Sequence, residues 1–233
     1  VSVLYWGADR RWTMSADWVA CKTWGFSTDS TRSPVRSCHN NSAVLLPRGM
    51  STEVAVAAVF IAIAKSGGDS AVLVTAIDGD SGNAYPVINP CSRCSRVSDV
   101  IAAVRDDLRC GEGKSLREFA LAAHDAATTA PLIGSVAVLD ASSFGHLGLD
   151  AVSRCFDVAF VVSGGDTPNL TVYHADVFDA MLMRDKVDLA AEIASSSNHD
   201  TGKLSELPSV TAGMRDRLLR EWQSPRIRLA EYD

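Results

Sequence analysis

The sequence has no basic excess, no long apolar run and no pair of adjacent histidines. Its 22 Lys and Arg stand against 28 Asp and Glu, a net charge of −6. That balance argues against binding a phosphate backbone and favours solubility. The longest apolar run, Val54 to Ala64, is too short to span a bilayer, so no membrane partner is expected. The opening residues Val1-Ser2-Val3 do not lead from a basic stretch into an apolar one and do not read as a secretion signal. Internal repeats and low-complexity tracts are absent. Aromatics make up only 7% of the chain, yet four of the five tryptophans, Trp6, Trp12, Trp18 and Trp24, crowd into its first twenty-four residues.

What is present is an ordinary globular composition, 233 residues with 47% hydrophobic and 21% charged side chains. A chain of this length should bury roughly 70% of its unfolded surface, so a full core is possible. Six cysteines stand at 21, 38, 91, 94, 110 and 155. Cys91-Ser92-Arg93-Cys94 could be half of a zinc site or a redox pair. A zinc site needs two further ligands at suitable spacing and only Cys110 is near. No strand-to-helix opening of thioredoxin type frames the pair. The six therefore read as scattered reduced thiols of a cytoplasmic protein, with no metal.

Residues 1–48 are the least regular, with a short helix or its remnant at Leu4-Tyr5-Trp6 and Arg10-Arg11-Trp12. A Ser/Thr/Asn/Pro-rich loop follows from Ser27 to Ser42, then a short strand at 43–47. Ser51 or Thr52 should cap a buried helix running to about Lys65, stopped by Gly67-Gly68. Ser70 to Ile77 reads as a strand buried on both faces. The acidic turn Asp78 to Gly82 lacks the closing glutamate of a calcium loop. Tyr85 to Pro90 reads as irregular. Ser98 should cap a helix to about Arg109, and Ser115 should open another to about Ala127. Strands are expected at 136–139, 156–162 and 170–174, the last two pairing across the Gly164-Gly165 turn. A helix is expected from Asp179 to about Ala194. Thr211 should cap a final helix with Met214, Leu218 and Trp222 on one face. Strands interleaved with helices imply an α/β domain, a mixed sheet flanked by helices.

This order, with the wording of several stretches, resembles the C-terminal lobe of nonribosomal peptide synthetase condensation domains, of the chloramphenicol-acetyltransferase-like superfamily. Leu4-Tyr5-Trp6 is similar to the family's "YW" helix, and Val44 to Pro47 to the strand before the lobe's first long helix. Residues 52–77 resemble that helix and its strand. Ile88-Asn89 falls at the family's "VNT" segment, from which Pro90 departs. Residues 115–124 resemble a helix ending in "AHQ", with His124 on the histidine. Tyr173 to Asp179 closely resembles "YDADLFD", and Leu204 to Trp222 the segment leaving the domain. The resemblance implies a single chloramphenicol-acetyltransferase-like lobe over 49–202. Residues 1–48 would remain from the inter-lobe region, and 203–233 would be an exit linker and helix toward a following domain. Both ends then read as boundaries within a longer chain.

In that family the catalytic histidine is the second of a His-His-x-x-x-Asp-Gly motif on the first lobe. No His-His pair exists here. His146-Leu147-Gly148-Leu149-Asp150 has related spacing but lacks the preceding His and the following Gly, and reads as a surface loop. Ser163-Gly164-Gly165 is a strand-to-strand turn, neither a nucleophile elbow nor a phosphate cradle. His39 and His199 read as exposed loop residues.

The resemblance therefore implies a truncated, non-catalytic module that docks within an assembly line for antibiotic- or siderophore-type peptides. Its partners would be a peptidyl carrier protein or an adenylation domain, and phosphopantetheine would be carried by the partner rather than bound directly. Asn89, Ser163 and Gly164 fall at tunnel-side positions, and Leu207, Pro208, Leu218 and Trp222 at inter-domain contact positions. The other reading is half of a split amide-forming acyltransferase, completed by a separate N-terminal lobe or by a second copy. Its lining would come from around Asn89 and the 156–162 strand. An apolar inter-lobe face would favour the split enzyme, and a polar one the scaffold.

Overall fold

The structure, a computed structural model, describes residues 40–67, 73–77, 83–88, 90–110, 114–115, 136–175, 178–196 and 202–223. The four early tryptophans, Leu4-Tyr5-Trp6, the loop before residue 40, the acidic turn at 78–82, Asn89, the 116–127 helix with His124, and His199 lie outside the described residues.

Seven described strands form one mixed sheet in the order β1-β7-β6-β5-β2-β3-β4. They are β1 (Asn40–Leu45), β2 (Leu73–Ile77), β3 (Asn83–Ile88), β4 (Lys114–Ser115), β5 (Val136–Asp140), β6 (Val158–Ser163) and β7 (Asn169–His174). β6, β5 and β2 run parallel at the centre, and antiparallel pairs flank them on both sides. Five described helices accompany the sheet: α1 (Thr52–Gly67), α2 (Val97–Cys110), α3 (Ala141–Cys155), α4 (Ala180–Ser195) and α5 (Ala212–Gln223). The mixed sheet flanked by helices is the architecture expected.

β5 and β6 carry apolar residues on both faces because both faces are covered. Val136, Val138, Val158, Phe160 and Val162 join Leu170 and Val172 of β7 in one core with α1 and α4. Truncating Phe60 of α1 or Phe160 to Ala, both fully buried there, should cost about 3–5 kcal/mol. The alternate set, Ala137, Leu139, Ala159 and Val161, points to the opposite face, where α3 packs on β5 and β6. Phe144 of α3 stacks on Tyr173 of β7 at 4.8 Å between ring centroids, an 18° interplanar angle, on that same face.

The caps explain where the helices begin. Ser51 Oγ accepts from the Val54 amide at 3.3 Å, so Ser51 caps α1. Asp179 Oδ1 accepts from the Met181 and Leu182 amides at 2.7 and 3.0 Å and caps α4. Thr211 Oγ1 accepts from the Met214 amide at 3.1 Å and caps α5, as its sequence suggested.

Three local expectations need correction. α2 is not capped by Ser98: it begins at Val97, and the Asp99 carboxylate reaches back to the Arg96 amide at 3.2 Å, the return arm of a capping box. Ser115 lies in β4 opposite Asn83, and the helix expected after it lies outside the described residues. Tyr85 to Ile88 is strand, not irregular chain. Pro86 pairs in register with Thr75 of β2, beyond the two described β4 pairings at Asn83 and Ala84. Finally, His146 to Asp150, expected as a surface loop, lies within α3, where a break at Gly148 (φ 75, ψ 158) divides the helix into two segments.

Candidate functional site

The parallel strands β2, β5 and β6 end together, and Ser163 closes β6 at that carboxyl edge. The turn it begins is held tightly. Ser163 Oγ accepts from the Asn169 amide at 3.1 Å, pinning the base of the β6–β7 hairpin. Gly165 has φ 94, a conformation that glycine adopts at no steric cost. A Cβ on Gly164 would lie 3.5 Å from Thr52 Oγ1, so the turn rests against the first residue of α1. Ser163 and Gly164 thus sit at a polar corner between a hairpin and a helix start, with the serine oxygen engaged in structure.

The topology does not bring this corner together with the Asn89 region. β3 runs antiparallel to β2, and Ile88, the residue before Asn89, pairs with Leu73 at the opposite end of β2. Register through β5 and β6 puts Ile88 about six residue steps, roughly 20 Å, from Ser163 along the strands, with two strands between their own. The strand expected to line an acyl-transfer site is core instead: Phe156, Val158, Phe160 and Val162 are buried among α1, α3 and α4.

No described histidine stands beside Ser163. His174 lies at the far end of β7, paired in register with Val158 and Asn40, and is 0% exposed. Its Nδ1 donates to the Ala175 carbonyl at 3.1 Å, while Nε2 meets no partner among the described residues. His146 and Asp150 flank the Gly148 break, so their i, i+4 spacing does not place them on one helical face. The side chain of His146 lies outside the described residues.

The exit segment is built more firmly. Arg96 and Lys203 form an isolated antiparallel bridge. The Val97 amide donates to the Gly202 carbonyl at 3.1 Å, and the Leu204 amide to the Ser95 carbonyl at 2.9 Å. This clip buries Leu204 in the core. Leu207 and Pro208 continue half-buried, and Leu207 packs against the same core. α5 is then tied to α4 by an ion pair between Arg217 and Asp185. Leu218 is half-buried, Val210 and Leu219 are exposed, and the Trp222 side chain lies outside the described residues.

Sequence reading did not single out this anchor. Asp185 shares the buried face of α4 with Leu189, one turn on, and a carboxylate at a core position requires a partner. That was the available signal. Lys186 beside it is also buried, and desolvation lowers its pKa while Asp185 raises it.

On the face shared with Phe144 and Tyr173, β1 and β7 present Asn41, Ala43, Leu45, Asn169 and Thr171. Leu45 is 75% exposed and is the one large apolar side chain in this mostly polar group. At the β1 edge, Arg184 donates from its guanidinium to the Ala43 carbonyl at 3.0 Å and pairs with Asp188. That covers part of the β1 edge of the described sheet. No helix among the described residues is long and apolar enough to cross a membrane, and those residues contain no group of three metal-ligating side chains.

No family model and no curated protein matches the sequence. Solved structures do match the fold. The nonribosomal peptide synthetase FmoA3, in its AMPPNP-bound form, aligns with a TM-score of 0.51 at 15% identity, covering 80% of this chain and 25% of that one. The epimerization domain from the third module of tyrocidine synthetase B gives 0.51 at 11% identity, covering 77% and 53%. The cyclization-docking bidomain of the peptide synthetase EpoB from Sorangium cellulosum gives 0.51 at 13%, covering 83% and 48%. The chain thus spans between a quarter and about half of the length of these structures. At these identities the likeness concerns fold, and the fold is that of a condensation-domain-like lobe, as the sequence resemblance implied.

Proposed function

We propose that this chain is a non-catalytic docking lobe of a cytoplasmic peptide-synthetase assembly line of antibiotic or siderophore type. It takes an adenylation domain or a peptidyl carrier protein as its partner. Phosphopantetheine would be carried by that partner, not bound by the lobe itself. The supporting observation is the doubly anchored exit segment, clipped to Ser95–Val97 at one end and ion-paired to Asp185 at the other. Such anchoring fixes α5 as a rigid surface before any partner arrives, which lowers the ordering cost of binding. Val210 and Leu219 are exposed on that surface.

The absence of a His-His pair from the sequence favours the same reading. An acyl transfer needs a base within hydrogen-bond reach of the reacting amine, and His174 is sealed in the core. The largely polar Asn41–Thr171 surface fits a covered or polarised lobe better than one awaiting an apolar partner.

The test is amide-bond formation followed by mass spectrometry, with aminoacyl carrier proteins from the same biosynthetic system. Binding to a carrier or adenylation domain is measured in parallel for the wild type and Leu219→Asp. The docking lobe should give no peptide and should bind a partner, with affinity lost in the variant. Peptide formed only when a lobe carrying His-His-x-x-x-Asp-Gly is added would establish a split enzyme instead.

A further inference from the structure

Cys91 and Cys94 occupy a compact turn directly before the exit clip. Pro90–Ser92 forms a 3-10 turn, and the Pro90 carbonyl accepts from the Arg93 amide at 2.9 Å and the Cys94 amide at 3.1 Å. In such a turn residues i and i+3 lie on one side. Both cysteines are half-buried, and both pack against the same core cluster. Both are thiols here. Three residues at a 3-10 rise of about 2 Å put their Cα atoms about 6 Å apart, within the Cα span a disulfide bridges. The very next residues, Ser95 to Val97, hold Gly202–Leu204.

We propose that Cys91 and Cys94 are a dithiol–disulfide pair oxidised by a low-molecular-weight disulfide such as oxidised glutathione, and that closing it locks the turn holding Gly202–Leu204. The Cys94 thiolate attacks one sulfur of glutathione disulfide, forming a mixed disulfide and releasing one glutathione thiolate. Cys91 then loses its proton to solvent and attacks the Cys94 sulfur, and the second glutathione thiolate leaves and is protonated. Two protein thiols are oxidised to one disulfide, and one glutathione disulfide is reduced to two thiols.

Burial pushes the Cys91 thiol up to about 12, with Cys94 adding and Lys65 opposing. Closure is therefore slow at neutral pH, because the resolving thiolate is scarce. Burial outweighs the opposing Lys65 charge and keeps the Cys91 thiol protonated, so the dithiol gains little from ionisation, which favours the disulfide once formed. The pair acts as a slow lock rather than a fast sensor. This inference stands apart from the docking reading and survives its failure.

The experiment equilibrates the full chain with glutathione redox mixtures, quenches with acid and alkylates the remaining thiols. Trypsin cleaves after Arg93, between the two cysteines, so their peptides stay joined only if the disulfide has formed. Hydrogen exchange is read at the Val97 and Leu204 amides. The expected result is a Cys91–Cys94 link that forms faster as pH rises from about 7 to 9, with several-fold slower exchange at both amides. Cys91→Ser should stop at a glutathione adduct on Cys94, and Cys94→Ser should show neither the link nor the protection. A wild-type dithiol persisting in excess oxidised glutathione, or a link to any other cysteine, would overturn the pair. A correct link with unchanged exchange would overturn the lock. The peptide linkage in the wild type decides the first point even if a variant fails to fold.

Discussion

Asp185 of α4 and Arg217 of α5 form an ion pair in which the carboxylate side chain is only 9% exposed and the guanidinium 30%. This contact joins the last described helix to the body of the lobe across 32 residues of chain. Its energetic importance lies in what would remain if one partner were lost. A buried carboxylate without its guanidinium keeps the desolvation cost and loses the compensation.

Arg217→Met should therefore destabilise the protein by about 3 kcal/mol, and Asp185→Asn by less, because an amide is cheaper to bury than a charge. The double variant should recover part of the loss. Urea unfolding of the four proteins measures the coupling. Strict additivity would mean that the pair does not act as a unit.

His174→Leu should be neutral or stabilising, by up to about 1 kcal/mol. It removes the buried Nε2 that meets no described partner. The Ala175 carbonyl, which the imidazole now contacts, still accepts from the Phe178 amide at 3.1 Å. A thermal midpoint lowered by several degrees would show that Nε2 has a structural partner, such as an ordered water.

Gly148→Ala should cost about 1–3 kcal/mol through the backbone alone. Its φ of 75 with ψ of 158 is accessible essentially to glycine only. A Cβ there would meet nothing within 4 Å, so no steric clash contributes. Gly145→Ala, which also meets nothing within 4 Å and has no positive φ, is the control and should leave stability unchanged or slightly raised. Equal losses in both variants would remove the backbone argument.

Under reducing conditions, stability should fall as pH rises from about 9 toward 12. The folded-state pKa of Cys91 is raised from 9.0 to about 12, so in that window the unfolded thiol ionises while the folded one keeps its proton. The stabilisation is complete below pH 9 and is lost through the window, at up to about 1.4 kcal/mol per pH unit. Lys186, whose pKa burial lowers, contributes with the opposite sign up to its unfolded value. Comparison with Cys91→Ala cancels that background. Parallel pH profiles for the two proteins would refute the burial of Cys91.

Much of the architecture was legible in the sequence because it depends on local periodicity and caps. The apolar runs at β5 and β6, the helix following Ser51 and those opened by Asp179 and Thr211 needed no knowledge of neighbours. The β6–β7 hairpin followed from Gly164-Gly165 between two apolar runs. The order of these elements was enough to suggest the condensation-domain-like lobe that the fold displays.

Tertiary structure decided the rest, because pairing partners and burial are not local properties. Pro86 belongs to a strand through its pairing with Thr75 of β2, a fact of sheet register that no window around Tyr85 contains. Ser163 and the Asn89 region share a family motif order, yet antiparallel β3 carries Ile88 to the other end of the sheet. The C-x-x-C reads as two unremarkable thiols until the turn holding them is seen to abut the Gly202–Leu204 clip. Asp185 and Arg217 are 32 positions apart, and only the packing of α5 on α4 makes them one contact. The sequence by itself determined the segments whose periodicity and caps are local, such as β5, β6 and the helices after Ser51, Asp179 and Thr211. Long-range pairing, set by sheet order and helix docking, decided which polar residues meet.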